Sequence, residues 1–280
     1  MTPRGSGSSR TSGDVVDLAC SVALGLVLAV LGAAYAARVA RAGRVHTARV
    51  EAEGKSALVS SELMEMLYWC ARPLVAACVR LRLTPDAVTA ASLGLGVAAG
   101  VALAAGHFGL GALLATAAGA CDAIDGVLAR QLGTSSVAGE VLDAATDRYV
   151  DFALLGGLAF YFRDRAPMLL LALLALLAAF MVSYSTAKAE ALHVVPPRGS
   201  MRRVERVMLV IVAAALAPVA ARLGTSWKEA PILVAIGLIA VVGNESAVRR
   251  LVVLRARLRE REAPRPDEAS LPKGTPGEAE

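Results

Sequence analysis

Ten aspartates occur in this 280-residue chain, and five of them, Asp122, Asp125, Asp143, Asp147 and Asp151, fall in one thirty-residue stretch. A carboxylate inside a membrane is costly unless paired or wetted, so a cluster of them in apolar surroundings marks a functional site. Only Arg130 and Arg148 share the stretch, and two cations cannot neutralise five carboxylates. Spacing narrows the chemistry. Asp122 and Asp125 are three apart and Asp143 and Asp147 four apart, and on helices either spacing puts the pair on one face. Helices joined by the short segment 131–136 are antiparallel neighbours, so the two faces converge on one volume. Four carboxylates held together call for divalent cations, and an all-oxygen ligand set selects hard ions such as Mg²⁺, Mn²⁺ or Ca²⁺. Two ions there would clamp the attacking and leaving oxygens of a phosphoryl displacement. Gly126 and Gly139 remove side chains beside the carboxylates and let a diphosphate approach the backbone, although glycine in membrane helices also serves packing. Arg130 offers a planar fork for phosphate oxygens.

These residues need a frame, and the composition supplies one. The chain is 56% hydrophobic, 19% charged and 4% aromatic, which excludes both a disordered chain and an ordinary soluble domain. Apolar stretches run over 15–37, 86–105, 110–129, 137–162, 166–187, 207–221 and 230–248. A hydrocarbon core about 30 Å thick needs about 20 residues per helix. The expected class is therefore all-α: a polytopic membrane bundle of six core transmembrane helices, with an extra N-terminal transmembrane helix and a juxtamembrane interfacial helix. Basic residues alternate between the gaps. Arg38 to Arg82, Arg130, Lys188 to Arg206 and Arg249 to Arg261 fill every second one, while the gap at 106–109 has none. The positive-inside bias then puts the rich gaps, and with them the aspartate ends of the helices, in the cytoplasm of a multi-pass cell-membrane protein. The amino terminus lies outside.

Five regions follow: a disordered 1–14, an anchor over 15–37, a cytoplasmic linker and interfacial helix over 38–83, the six-helix domain over 84–248, and a basic then disordered tail over 249–280. The anchor is too long for a signal-peptide core, so it is expected to be retained. Within 57–83, Leu63, Met66, Leu67 and Trp69 interleave with Glu62, Glu65, Arg72, Arg80 and Arg82, a composition suited to lying on a membrane surface. Cys20, Cys70, Cys78 and Cys121 show no metal-ligand or redox spacing and read as small apolar packing residues.

Together the site residues spell Asp122-x2-Asp125-Gly126-x2-Ala129-Arg130-x8-Gly139-x3-Asp143-x3-Asp147, which resembles at every defined position the signature of the CDP-alcohol phosphatidyltransferase family. The resemblance implies transfer of a phosphatidyl group from CDP-diacylglycerol to a hydroxyl acceptor with release of CMP. It implies two Mg²⁺ (or Mn²⁺) ions held by Asp122, Asp125, Asp143 and Asp147, with Asp147 also the general base, and a cytidine diphosphate pocket lined by Gly126, Ala129, Arg130 and Gly139. Thr84-Pro85-Asp86-Ala87-Val88-Thr89 resembles a further family element, adding Asp86 and Thr89 to that pocket; the same residues also read as a capped helix start. Ser183-Tyr184-Ser185-Thr186-Ala187-Lys188-Ala189-Glu190 and Met201-Arg202-Arg203-Val204-Glu205-Arg206 are similar to segments of the phosphatidylinositol phosphate synthase branch. That similarity implies inositol phosphate as acceptor, bound by Lys188, Arg203 and Arg206; glycerol phosphate, serine and inositol are the alternatives. In this chain Lys188 stands for an Arg, Arg202 for a Glu, and Thr186 for a residue commonly basic. The family also implies a homodimer, to which small residues such as Ala99, Gly100 and Ala104 would contribute. The bilayer is the other partner, and no nucleic acid is expected. A metal-ion transporter would need acidic residues distributed along several spans, and an inactive homologue would have lost one of the four aspartates; neither pattern is present.

Overall fold

The computed structural model describes residues 12–43, 61–195 and 199–262. The disordered ends expected at 1–11 and 263–280, and linker residues 44–60, lie outside the described residues. Within them the chain is helical, with no strand: α1 Ser12–Ala42, α2 Ser61–Arg80, α3 Pro85–Ala104, α4 Phe108–Leu132, α5 Val137–Tyr161, α6 Ala166–Ala191, α7 Arg203–Ala220 and α8 Ala230–Glu262, plus a short 3₁₀ turn at Thr225–Trp227. Five of these, α1, α3, α4, α6 and α8, are long and apolar enough to cross a membrane. The two remaining members of the six-helix core, α5 and α7, are the ones whose sequences carry the Asp143–Asp151 and Arg203–Arg206 charges.

Local signals set the helix ends that matter for the site. Thr84 caps α3 by accepting from the Ala87 amide at 3.2 Å, with Pro85 in the first turn. α4 stops at Gly133, whose φ of +66° is left-handed, and the Thr134 amide closes the turn onto the Ala129 carbonyl at 2.9 Å. Ser136 then caps α5 by accepting from the Gly139 amide at 3.1 Å. Only residues 133–136 separate the two helices, so the two aspartate pairs are forced to face each other.

In lipid, helices gain nothing from hiding apolar surface, and close backbone approach takes over. On α6, Ala172, Ala175, Ala178 and Ala179 are fully buried, as are Ile232, Ile236 and Ile239 of α8, and the two helices pack along these faces. α3 and α5 touch through glycine: a Cβ on Gly157 would stand 2.3 Å from the Gly100 carbonyl oxygen, and one on Gly100 would stand 2.2 Å from that of Ala153. Ala99 and Gly100 are thus spent inside the chain. Small-residue periodicity marks a close helix contact without saying whether the partner is in the same chain.

α1 is seated on the bundle rather than tethered beside it. Its buried Asp17 accepts from the Leu110 amide at 3.2 Å and pairs with His107 Nδ1 at 3.4 Å, so a carboxylate sits at the positive N-terminal end of α4. A Cβ on Gly109 would be 1.9 Å from the Asp17 carbonyl oxygen, whereas Gly32, on the outer side of α1, has open space around it. Gly109→Val is expected to destabilise the protein by about 1–3 kcal/mol through overpacking, with Gly32→Val neutral; thermal unfolding of the purified variants in detergent checks both. α2 lies across the other end, where Ala71 and Val75 pack on Val88, Ile124 and Leu128, and Tyr35 of α1 donates to Glu65 at 3.2 Å.

Two helices outrun their apolar stretches. α8 continues as helix to Glu262 because Leu254 and Leu258 pack on Ala189 and Val194, while Arg257 and Arg261 donate to the carbonyls of Val195, Leu192 and His193. α7 begins at Arg203, ahead of its apolar run, because Glu205 accepts from the Arg202 amide at 3.1 Å. At the end remote from the aspartates, Arg165 forks onto Glu229 at 2.5 and 2.7 Å, and Tyr161 donates to the same carboxylate at 2.8 Å. That cluster staples the α5–α6 turn to the α7–α8 turn.

Candidate active site

α4 delivers Asp122 and Asp125, and α5 delivers Asp143 and Asp147, to one end of the bundle. One carboxylate oxygen from each of Asp122, Asp143 and Asp147 lies within 4.8 Å of the others. Arg203 of α7 closes the group: its Nη1 is 2.7 Å from Asp122 Oδ2 and 2.9 Å from Asp147 Oδ1. Asp125 stands apart from this trio. It is 5% exposed, and its Oδ2 accepts from the Thr89 hydroxyl at 2.6 Å. Three of the four expected metal ligands are therefore brought together, and the fourth is held one turn away by a residue expected to contact nucleotide.

The donor set fits a hard divalent ion. It consists of carboxylate oxygens alone, and Asp147 Oδ1 is buried without a hydrogen-bond partner among the described residues. A cationic nitrogen already stands between Asp122 and Asp147, which is what unpaired carboxylates this close require.

The other expected nucleotide residues lie on α3, α4 and α5. Asp86 is exposed in the first turn of α3, and Ala129 and Gly126 lie along α4 below the aspartates. Arg130 is exposed and folds back over Gly126, its Nη1 3.4 Å from where a Cβ there would stand. Gly139 sits in the first turn of α5 against the Ser136 hydroxyl.

Opposite them a cavity of about 340 Å³ opens between α5, α6, α7 and α8. Asp147 lines it together with five arginines, Arg148, Arg202, Arg203, Arg206 and Arg250, and with Ser183, Thr186 and Gly199. Several of these are already engaged. Arg206, 2% exposed, pairs with the buried Asp151 at 2.5 Å and donates to the Met201 carbonyl at 2.8 Å. Arg250 Nη1 donates to the Thr186 hydroxyl at 3.0 Å, and Thr186 donates in turn to the Val182 carbonyl at 3.2 Å. Arg148 donates to the Ala144 carbonyl. Yet the Nε groups of Arg203, Arg206 and Arg250 are all buried with no hydrogen-bond partner among the described residues. Five arginines around one cavity, with Asp147 the one carboxylate in its lining, make a site suited to an anion.

Of the residues expected to bind acceptor, Arg203 and Arg206 line this cavity, whereas Lys188 is exposed in the last turn of α6 and does not. Arg250, Arg202 and Arg148 were not among the expected site residues. Arg250 had a readable signal: Ser246 and Arg250 lie four apart next to Gly243 and Ala247, a polar pair on a small-residue face. Both are buried, and both donate to the Ser200 carbonyl.

The sequence profile of CDP-alcohol phosphatidyltransferases matches residues 82–245, from just before α3 into α8. The chain belongs to this family. The chain is 35% identical over 191 residues to the phosphatidylinositol phosphate synthase of Mycobacterium tuberculosis strain H37Rv, covering 64% of this chain and 82% of that protein. It is 31% identical over 189 residues to the synthase of Cutibacterium acnes, covering 65% of this chain and 91% of that one. The crystal structure of the M. tuberculosis synthase in complex with manganese and citrate superposes with a TM-score of 0.59 at 28% identity, over 66% of this chain and 88% of that chain. The same synthase with CDP-DAG bound gives a TM-score of 0.59 at 28% identity, over 66% and 92%. The chain is thus an integral membrane enzyme that transfers a substituted phosphate group, and α1 and α2 lie outside the region that the family profile matches.

Proposed function

We propose that the enzyme transfers the phosphatidyl group of CDP-diacylglycerol to a hydroxyl of an alcohol that itself carries phosphate, with inositol phosphate the acceptor, releasing CMP at the cytoplasmic face of the membrane. The observation that carries the acceptor class is the cavity beside Asp147, lined by five arginines. A phosphate monoester answers that cationic lining, whereas serine or inositol brings no phosphate to it. The names of the relatives favour inositol phosphate among such alcohols.

Asp122, Asp143 and Asp147, joined by Asp125 once Thr89 releases it, would hold two divalent ions, Mg²⁺ or Mn²⁺. Bound there, the ions would supply charge neutralisation for the diphosphate and its leaving group. The chain's own residues do the rest. Arg130, over Gly126, and Asp86 with Thr89 at the head of α3 hold the cytidine diphosphate, Gly126, Ala129 and Gly139 keeping its path clear. The arginines of the cavity fix the acceptor phosphate, so that its hydroxyl meets Asp147. Asp147 takes the hydroxyl proton as the acceptor oxygen bonds to the lipid-bearing phosphorus, and the bond from that phosphorus to CMP breaks, its electron pair leaving with CMP. Positioning and charge neutralisation suffice for such a displacement, with no covalent enzyme intermediate.

The cytoplasmic assignment rests on the arginines that crowd the site end of the bundle. A homodimer belongs to the same reading on family grounds. An acceptor panel tests the proposal: inositol phosphate, glycerol phosphate, serine, inositol and phosphatidylglycerol, each supplied with labelled CDP-diacylglycerol and Mg²⁺ or Mn²⁺ to purified membranes. Labelled lipid is expected with inositol phosphate, and EDTA should remove the activity. Incorporation of serine or inositol alone would overturn the acceptor class, and incorporation of glycerol phosphate alone would overturn the choice within it.

A further inference from the structure

Arg203 belongs to two sites at once. One nitrogen, Nη1, contacts both Asp122 and Asp147, at 2.7 and 2.9 Å, in the midst of the carboxylate trio. The same side chain lines the anion cavity. Neither engagement is complete: Arg203 Nε is buried without a hydrogen-bond partner, and so is Asp147 Oδ1, whose approach to Nη1 is close in distance only. A partly satisfied buried network has a better arrangement open to it. A divalent ion at the carboxylates would satisfy Asp147 and exclude the guanidinium, since two cations cannot share the space between the same oxygens. An anion in the cavity would offer the guanidinium a counter-charge there.

We infer that Arg203 is an exchangeable internal cation that couples the two halves of the active site, holding the carboxylates when the metal is away and moving onto the acceptor's phosphate when the metal binds. This rests on the reading of the carboxylate trio as the metal site and of the cavity as the acceptor site. Its consequence is thermodynamic. Metal must displace Arg203, so the arginine lowers metal affinity; an anion that draws the arginine away restores it; and by linkage the metal tightens the anion by the same factor. Metal and acceptor then each favour the binding of the other.

Mn²⁺ affinity of the full-length protein in detergent, measured by electron paramagnetic resonance with and without inorganic sulfate at matched ionic strength, tests this. Sulfate is a tetrahedral dianion that ligates Mn²⁺ weakly. In the wild type sulfate should tighten Mn²⁺ about tenfold, within the usual 5–150-fold range of site coupling. Arg203→Gln should bind Mn²⁺ about tenfold more tightly than wild type in the absence of sulfate, and sulfate should then have no effect. A wild-type Mn²⁺ affinity indifferent to sulfate overturns the inference without any variant. So does a sulfate effect that persists in Arg203→Gln, which would mean direct contact between anion and metal. Absence of Mn²⁺ binding, or binding that survives Asp122→Asn, would instead fail the metal-site reading beneath it and take the inference with it. Loss of sulfate binding in Arg250→Gln, followed by dialysis of labelled sulfate, supports the cavity as the anion's location.

Discussion

Asp147→Asn should lower the rate of CMP release from CDP-diacylglycerol at least about a hundredfold at saturating Mg²⁺, within the range of about 10²–10⁴ that a positioned general base contributes. Asp147 is the only member of the carboxylate trio that also lines the arginine cavity. Among the carboxylates it alone touches both the place for metal and the place for acceptor. The amide keeps the shape and the hydrogen-bonding size of the side chain and loses the basic oxygen, so folding should survive and the proton should have nowhere to go. Turnover under saturating donor, acceptor and metal, together with Mn²⁺ binding by the variant, separates loss of the base from loss of a ligand. A rate within tenfold of wild type would remove Asp147 from the base role.

The second large effect concerns stability. Arg206 and Asp151 form an ion pair whose two residues are 2% and 4% exposed, at 2.5 Å. Arg206→Met strips the partner from a buried carboxylate, which typically costs about 3–5 kcal/mol, whereas replacing both members by apolar residues of similar volume is often neutral. Arg206→Met should therefore unfold at a much lower temperature in detergent, and Arg206→Met with Asp151→Leu should recover most of the loss. A single variant as stable as wild type would mean the pair is dispensable. The same geometry bears on mechanism. Arg206 ties one Nη to Asp151 and the other to the Met201 carbonyl, and so seats the first turn of α7, where Arg203 lies.

Several features were readable in the chain because they repeat along a single helix or across one short turn. Asp122 with Asp125 and Asp143 with Asp147 share faces by the 3.6-residue period alone, and Gly133 and Ser136 end one helix and start the next so that those faces oppose each other. The alternation of arginine-rich gaps, likewise, needs only the order of the spans. Lys188 shows where such reading stops. The family resemblance places it at the acceptor site, yet two positions along a helix turn a side chain by roughly 200°, and the structure leaves Lys188 exposed while Thr186 lines the cavity.

The sequence by itself determined the helical membrane class, the four aspartates and their grouping in pairs, because periodicity, apolar length and charge placement are local quantities. Only the tertiary structure decided that Arg203 bridges Asp122 and Asp147, that Arg206 is bound to Asp151, that Arg250 turns into the cavity, and that Gly109 gives α1 a seat. Those are contacts between residues far apart in the chain. Which cation meets which carboxylate is fixed by how closely small residues let the helices approach, and no period along one helix records that.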